Sequence, residues 1–264
     1  MAYYTIKFFS NSLRRNVTFD MVIPNDERED LPVAQNAHTR RPMKTILLLH
    51  GYTGDASPLG LEEEAVKYNF AMVMPNGENG FYLDGEATGQ KYASYVGIEL
   101  IDYVRKTFGL AMTPEETYVT GFSMGGFGAL HTALSYPERF GKAACLSSAL
   151  IVHEIAHMKP GQSNEVANYA YYRQHFGDLE TVEQRDVNPE VLAERIRKEG
   201  GRMPELYLCC GTEDFLIEKN RQFHHFLEEH GVKHVYQEGK GIHDMVFWHE
   251  YFLKAMEWFF ADEV

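Results

Sequence analysis

Cysteine is scarce: Cys145, Cys209 and Cys210 are the only three in 264 residues, too few for a disulfide framework. Cys209 and Cys210 adjoin each other in an apolar run, where packing is their expected role, and a reducing cytoplasm is the expected compartment. Positive charge is also in short supply. Against 38 Asp and Glu stand 25 Lys and Arg, a net charge of −13. That balance argues against nucleic acid as a partner and offers nothing to an anionic membrane surface. No apolar run approaches the length of a membrane span. The opening residues Met1-Ala2-Tyr3-Tyr4-Thr5-Ile6-Lys7 lack the charged start and apolar stretch of a secretion signal. Internal repeats and low-complexity linkers are missing too, so residues 1–264 are expected to form one domain.

What is present alternates between two periods. Thr5–Ser10 and Val17–Ile23 read as the arms of an antiparallel pair, and the polar stretch from Pro24 to Lys44 as loop. The continuous apolar runs Thr45–Leu49 and Phe70–Pro75 suit strands buried on both faces. Leu61–Tyr68 and Tyr92–Phe108 read as helices, Glu116–Thr120 as a strand and Gly125–Tyr136 as a helix closed by Pro137. Lys142–Leu146, Glu205–Cys210 and Val232–Gln237 are the remaining strands, and Asp244–Phe260 is a C-terminal helix. Strands alternating with helices predict a mostly parallel sheet flanked by helices. About 55 residues separate the strands near Cys145 and Leu208, too many for one crossover helix. Residues 148–203 are therefore expected to be a mostly helical cap inserted over one end of the sheet.

The most informative stretch is Gly121-Phe122-Ser123-Met124-Gly125, a Gly-x-Ser-x-Gly sequence between a predicted strand and a predicted helix. In that setting a serine is lifted onto a sharp elbow as a nucleophile. A serine hydroxyl needs a histidine to take its proton, and the histidine needs an acid to fix its tautomer. In a parallel sheet both should follow strand ends, in the order serine, acid, histidine. Asp214, just after Glu205–Cys210, is the preferred acid, with Glu213 second. His243, between the last strand and the last helix, is the preferred base. His131, His224, His225, His230, His234 and His249 fall elsewhere. The oxyanion donors are expected to be the backbone N–H groups of Met124 and of Tyr52, the latter in the loop that follows Thr45–Leu49.

A second motif competes. His153-Glu154-Ile155-Ala156-His157 matches the His-Glu-x-x-His pattern of zinc peptidases. Lys159-Pro160-Gly161 would break the helix that such a site needs, and Ser163 and Asn164 stand where a third histidine would be sought. Glu165 could be recruited, but nothing singles it out. Incidental surface histidines are the favoured explanation, and no metal is expected.

Taken together, the chain resembles the esterase D family, and within it the tributyrin esterases. The likeness rests on Leu49-His50-Gly51, Met74-Pro75-Asn76-Gly77, Gly80-Phe81-Tyr82-Leu83-Asp84 and Gly121-Phe122-Ser123-Met124-Gly125-Gly126. It continues in Gly211-Thr212-Glu213-Asp214 and Gly241-Ile242-His243-Asp244 with Phe247-Trp248. The resemblance implies an α/β-hydrolase fold, no cofactor, and a Ser–Asp–His triad on Ser123, Asp214 and His243. The family spans small-acyl carboxylesterases, acetyl and feruloyl esterases of plant polysaccharide, and S-formylglutathione hydrolases. The last usually carry a cysteine in the loop that here reads His50-Gly51-Tyr52-Thr53-Gly54-Asp55. Tyr52 is also bulkier than the residue expected there.

The expected function is therefore a serine carboxylesterase cleaving acetyl, butyryl or feruloyl-type esters through an acyl-enzyme on Ser123. Its partner is a small-molecule ester, with acylated carbohydrate one form, and a homo-oligomer is left open. Acyl transfer on the same triad, a thioesterase of the S-formylglutathione type and a zinc peptidase on His153, Glu154 and His157 are the alternatives. Trp248 and Tyr172 are the candidate substrate contacts. The aromatic group Tyr169, Tyr171, Tyr172 and Phe176 is expected mainly to pack the cap.

Overall fold

The computed structural model describes residues 1–25 and 36–261. The chain opens with β1 (Ala2–Ser10) and β2 (Arg15–Ile23), an antiparallel hairpin in which Phe8 faces Val17. Of the stretch expected as loop from 24 to 44, residues 26–35 lie outside the described residues, and His38–Arg40 forms one 3-10 turn. Then come β3 (Lys44–Leu49), α1 (Glu62–Tyr68), β4 (Phe70–Pro75), α2 (Tyr92–Ser94), α3 (Leu100–Phe108), β5 (Thr117–Phe122), α4 (Met124–Ser135) and β6 (Lys142–Leu146). The long connection after β6 carries α5 (Val152–Ile155), α6 (Tyr169–Phe176) and α7 (Pro189–Glu199). The chain closes with β7 (Glu205–Gly211), α8 (Ile217–Glu229), β8 (Val235–Gly239) and α9 (Met245–Phe259).

One eight-stranded sheet runs in the order β1-β2-β4-β3-β5-β6-β7-β8, parallel from β4 through β8. The inner strands β4 and β6 are buried along their whole length, and β3 at every residue after Lys44, as a sheet covered on both faces requires. On one face α3, α4 and α7 bury Leu100, Val104, Leu130, Leu134 and Leu192. On the other, α1 and α9 bury Ala65, Tyr68, Phe252, Met256 and Phe259. This is the α/β-hydrolase architecture. Of the connection between β6 and β7, α7 packs beside α4 and α8, while Ala149, Ile151, Glu154, Asn164 and Tyr172 reach the cavity described below.

Two elements differ from the sequence expectation. The helix expected over Tyr92–Phe108 is interrupted by a π-helical segment at Tyr95–Glu99. There Gly97 lies against the ring of Tyr136, where a Cβ would collide, and Glu99 accepts hydrogen bonds from Ser10 and from the Asn11 and Ser12 N–H groups of the β1–β2 turn. The last strand starts at Val235 instead of Val232. Gly231, at φ +65°, ends α8, and the Val232 N–H returns to the Leu227 carbonyl at 2.9 Å, so Val232 closes the helix instead of opening the strand.

Candidate active site

The strand-to-helix turn at Ser123 leaves no room for side chains around it. A Cβ on Gly121 would lie 2.5 Å from the Gly125 carbonyl oxygen, and one on Gly125 would overlap the Leu49 carbonyl. Ser123 itself is held at φ 57°, ψ −119°, a region L-residues enter only when their surroundings enforce it. Its N–H donates to the Leu146 carbonyl at 2.9 Å, and its own carbonyl accepts from the Phe127 and Ala149 N–H groups at 3.0 Å each. The hydroxyl is thereby raised at the carboxyl end of β5, between β3 and β6.

Two loops at the same sheet end meet it. His243 Nε2 is 2.9 Å from Ser123 Oγ, and His243 Nδ1 is 2.8 Å from Asp214 Oδ2. The other Asp214 oxygen accepts the Leu216 N–H at 2.8 Å. Burial by itself would raise the Asp214 carboxyl; the hydrogen bonds from His243 and Leu216 outweigh it and hold the group below its ordinary value. Glu213, the second candidate, is exposed, and only its backbone N–H is engaged here, by the Gly241 carbonyl at 2.9 Å. The same contact ties the Asp214 loop to the His243 loop. Phe215 lies over the His243 ring at 4.5 Å, and Trp248 meets it edge-on at 4.7 Å while packing on Phe122 at 4.4 Å.

Met124 is the first residue of α4, so its N–H has no acceptor within the helix. Tyr52 lines the same cavity as Ser123 and Met124. Its loop is braced by His50, whose Nδ1 is 2.8 Å from the Gly51 carbonyl oxygen and whose Nε2 accepts the Gly77 N–H at 2.9 Å. A carbonyl only accepts, so the proton sits on Nδ1 and His50 is neutral; burial pushes its pKa down in the same sense. The Tyr52 ring finds a place against Phe81 and Tyr171, at 6.4 and 6.0 Å, which is how the loop accommodates its bulk.

The cavity over Ser123 has a volume of about 460 Å³. Phe81, Phe122 and Trp248 contribute apolar surface to it. Glu154, Asn164, Tyr172 and Lys219 contribute a polar chain: Tyr172 OH donates to Asn164 Oδ1 at 3.0 Å, Asn164 Nδ2 donates to Glu154 at 2.9 Å, and Lys219 Nζ pairs with Glu154 at 3.0 Å. Of the four aromatic residues around α6, Tyr172 alone borders this space; Phe176 packs on Phe81 and Phe127. Glu154, Lys219, Asn164, Phe122 and Phe215 were not foreseen as cavity residues. Lys219 stands one helical turn beyond the Asp214 loop, a position that could have drawn attention to it.

The His-Glu-x-x-His stretch does not form a helix holding both histidines. The α5 turn ends at Ile155, and His157 sits at φ 62°. His153 is flanked by Glu183 at 2.6 Å and Glu190 at 3.1 Å, and His157 pairs with Glu180 at 3.1 Å. Glu154 turns the other way, to Lys219 and the Ser123 cavity. Among the described residues no helix is long and apolar enough to cross a membrane.

The chain is also similar to known esterases. A family profile described as putative esterase matches residues 10–259. An acetyl esterase of Caldicellulosiruptor saccharolyticus is 37% identical over 262 residues, covering 98% of each chain. Among solved structures, the fluorophosphonate-binding serine hydrolase FphF of Staphylococcus aureus superposes with a TM-score of 0.82 at 26% identity, covering 98% of both chains. The S-formylglutathione hydrolase FrmB of the same organism gives 0.80 at 26% identity with the same coverage.

Proposed function

Given that the chain belongs to the putative esterase family and is a serine hydrolase of carboxylic esters, we propose that Ser123, His243 and Asp214 are its catalytic triad and that its preferred substrates are short-chain acyl esters, acetyl esters foremost. The observation that carries this reading is the unbroken contact from Ser123 Oγ through His243 to Asp214, at 2.9 and 2.8 Å, beside a cavity of about 460 Å³.

In this mechanism Ser123 Oγ attacks the ester carbonyl carbon while its proton passes to His243 Nε2. The carbonyl π electrons move onto oxygen, and the resulting oxyanion is held by the N–H groups of Met124 and Tyr52. Asp214 accepts the Nδ1–H, keeps the reactive nitrogen facing the serine, and stabilises the imidazolium. When the carbonyl re-forms, the C–O bond to the alcohol breaks and His243 returns its proton to the departing oxygen. Water then gives a proton to His243 and adds to the acyl-serine; collapse releases the acid and restores the Ser123 hydroxyl.

The cavity volume suits a small ester and falls within the range of small-molecule sites. The apolar side at Phe122 and Trp248 suits a short acyl group. The chain Tyr172–Asn164–Glu154–Lys219 offers donors and acceptors to a hydroxylated alcohol half such as an acylated sugar. The 37% identity to an acetyl esterase supports the acyl assignment. Steady-state rates on p-nitrophenyl acetate, butyrate and octanoate, with methyl ferulate and S-formylglutathione alongside, test it. Acetate is expected to have the highest kcat/KM, and a preference for octanoate, ferulate or the thioester would overturn the proposed acyl class.

A further inference from the structure

Toward its C-terminal end α8 carries His224, His225 and Glu228, and none of them borders the Ser123 cavity. One donor atom from each lies within 4.8 Å of the others. Glu228 Oε2 is 3.3 Å from His225 Nδ1 and 3.6 Å from His224 Nε2. A cation bound tetrahedrally at about 2.0–2.1 Å from nitrogen and oxygen ligands holds those ligands about 3.4 Å apart. Two of the three edges already have that length.

A second observation comes from outside the helix. His234, in the turn before β8, has Nδ1 2.8 Å from the Val232 carbonyl oxygen. A carbonyl only accepts, so that nitrogen carries the proton, and Nε2 of the neutral ring is an acceptor. It stands 2.7 Å from His224 Nδ1, which must then donate. The tautomer of His224 that donates from Nδ1 to His234 leaves Nε2 as the nitrogen facing the Glu228 carboxylate. Tyr236 stacks on the His224 ring at 4.2 Å and 11°, fixing its plane. Imidazole ligands are held in this way, one nitrogen donating outward to an orienting partner and the other kept for the metal.

We propose that His224 Nε2, His225 Nδ1 and the Glu228 carboxylate bind one divalent transition-metal cation, Zn²⁺ or Ni²⁺, with water completing its shell. Two imidazoles select this class over Mg²⁺ and Ca²⁺, which take oxygen ligands. The cation tightens the end of α8, which His224 links through His234 to the turn entering β8. It takes no part in ester chemistry, and it stabilises the folded chain by mass action.

The test is isothermal titration of the full chain with ZnCl₂ and, separately, MgCl₂, using wild type, His225→Ala, Glu228→Gln and His153→Ala, with melting temperatures measured alongside. One saturable Zn²⁺ site per chain is expected, weakened at least tenfold in His225→Ala and in Glu228→Gln and unaltered in His153→Ala. Zn²⁺ should raise the melting temperature of wild type and not of the two α8 variants, and Mg²⁺ should bind to none of them. Absence of saturable Zn²⁺ binding, binding undiminished in both α8 variants, or binding lost instead in His153→Ala would overturn the proposal.

Discussion

His243 Nε2 lies 2.9 Å from Ser123 Oγ although 120 residues of chain separate them. The approach is set by the sheet. Parallel pairing runs without a break from β5 to β8 and brings Gly211, just before the Asp214 loop, level with Gly239, just before the His243 loop. The Gly241 carbonyl then accepts the Glu213 N–H at 2.9 Å, fastening the two loops to each other. Backbone pairing, more than any side-chain contact, places the three groups.

Gly125→Ala should damage the elbow without touching a functional group. The added methyl overlaps the Leu49 carbonyl oxygen, a backbone atom that cannot rotate away. A loss of about 1–3 kcal/mol is expected from such overpacking, read as a lower midpoint in urea unfolding. Turnover should fall as well, because the loop after β3 and the first residue of α4 carry the two proposed oxyanion donors.

Asp214→Asn keeps the size of the side chain and removes the charge that stabilises the His243 imidazolium. By analogy with other triads, kcat should drop by about 10⁴-fold with the fold intact. A pH effect accompanies it. The Asp214 carboxyl is held below its ordinary value in the folded chain, so its contribution to stability is present above the unfolded value and is lost as pH falls through the folded one. Wild type should therefore lose melting temperature in acid more steeply than Asp214→Asn, and equal slopes would contradict this.

Trp248 is 7% exposed, packs on Phe122 and meets His243 edge-on. Trp248→Ala should cost about 3–5 kcal/mol as a buried aromatic deletion. Trp248→Phe, which keeps a ring on Phe122, should be milder in stability while still altering KM for different acyl chains. Chemical denaturation and a KM series on acetate and butyrate esters separate the two effects.

His153 supplies a pH dependence of the opposite sign. Burial acts to lower its pKa, but hydrogen bonds to Glu183 and Glu190 prevail and raise it above 6.5. Its stabilising pairing is then fully present below the ordinary imidazole value and fades as pH rises through the raised one. The deficit in melting temperature of His153→Ala should be larger at about pH 5 than at about pH 9. The effect should be small, since the ring is 47% exposed and its ion pairs are screened.

The succession of strands and helices along the chain was legible in the sequence because buried parallel strands are continuous apolar runs. Ser123 was singled out by the glycines its elbow requires, and Asp214 and His243 by their positions after strands. Contacts made by the connection between β6 and β7 were not legible. Glu154 drew attention only through neighbouring histidines, yet its carboxylate turns from them to Lys219, 65 residues further on by sequence number. No local pattern signals such a pairing. The π-helical segment was hidden for a similar reason, since Gly97 packs on Tyr136 and Glu99 on the β1–β2 turn, both remote in sequence. The late start of β8 rests on Gly231 and Val232 completing the end of α8.

The most direct test of the account is rapid mixing with p-nitrophenyl acetate, chelator present throughout, followed by acid quench and peptide mass analysis of wild type and Ser123→Ala. Wild type should release p-nitrophenol and carry an acetyl group on the peptide containing Ser123, whereas Ser123→Ala should do neither while remaining folded. Turnover that persists in Ser123→Ala, or acetyl found on another residue while Ser123 stays unmodified, would contradict an acyl-enzyme at Ser123.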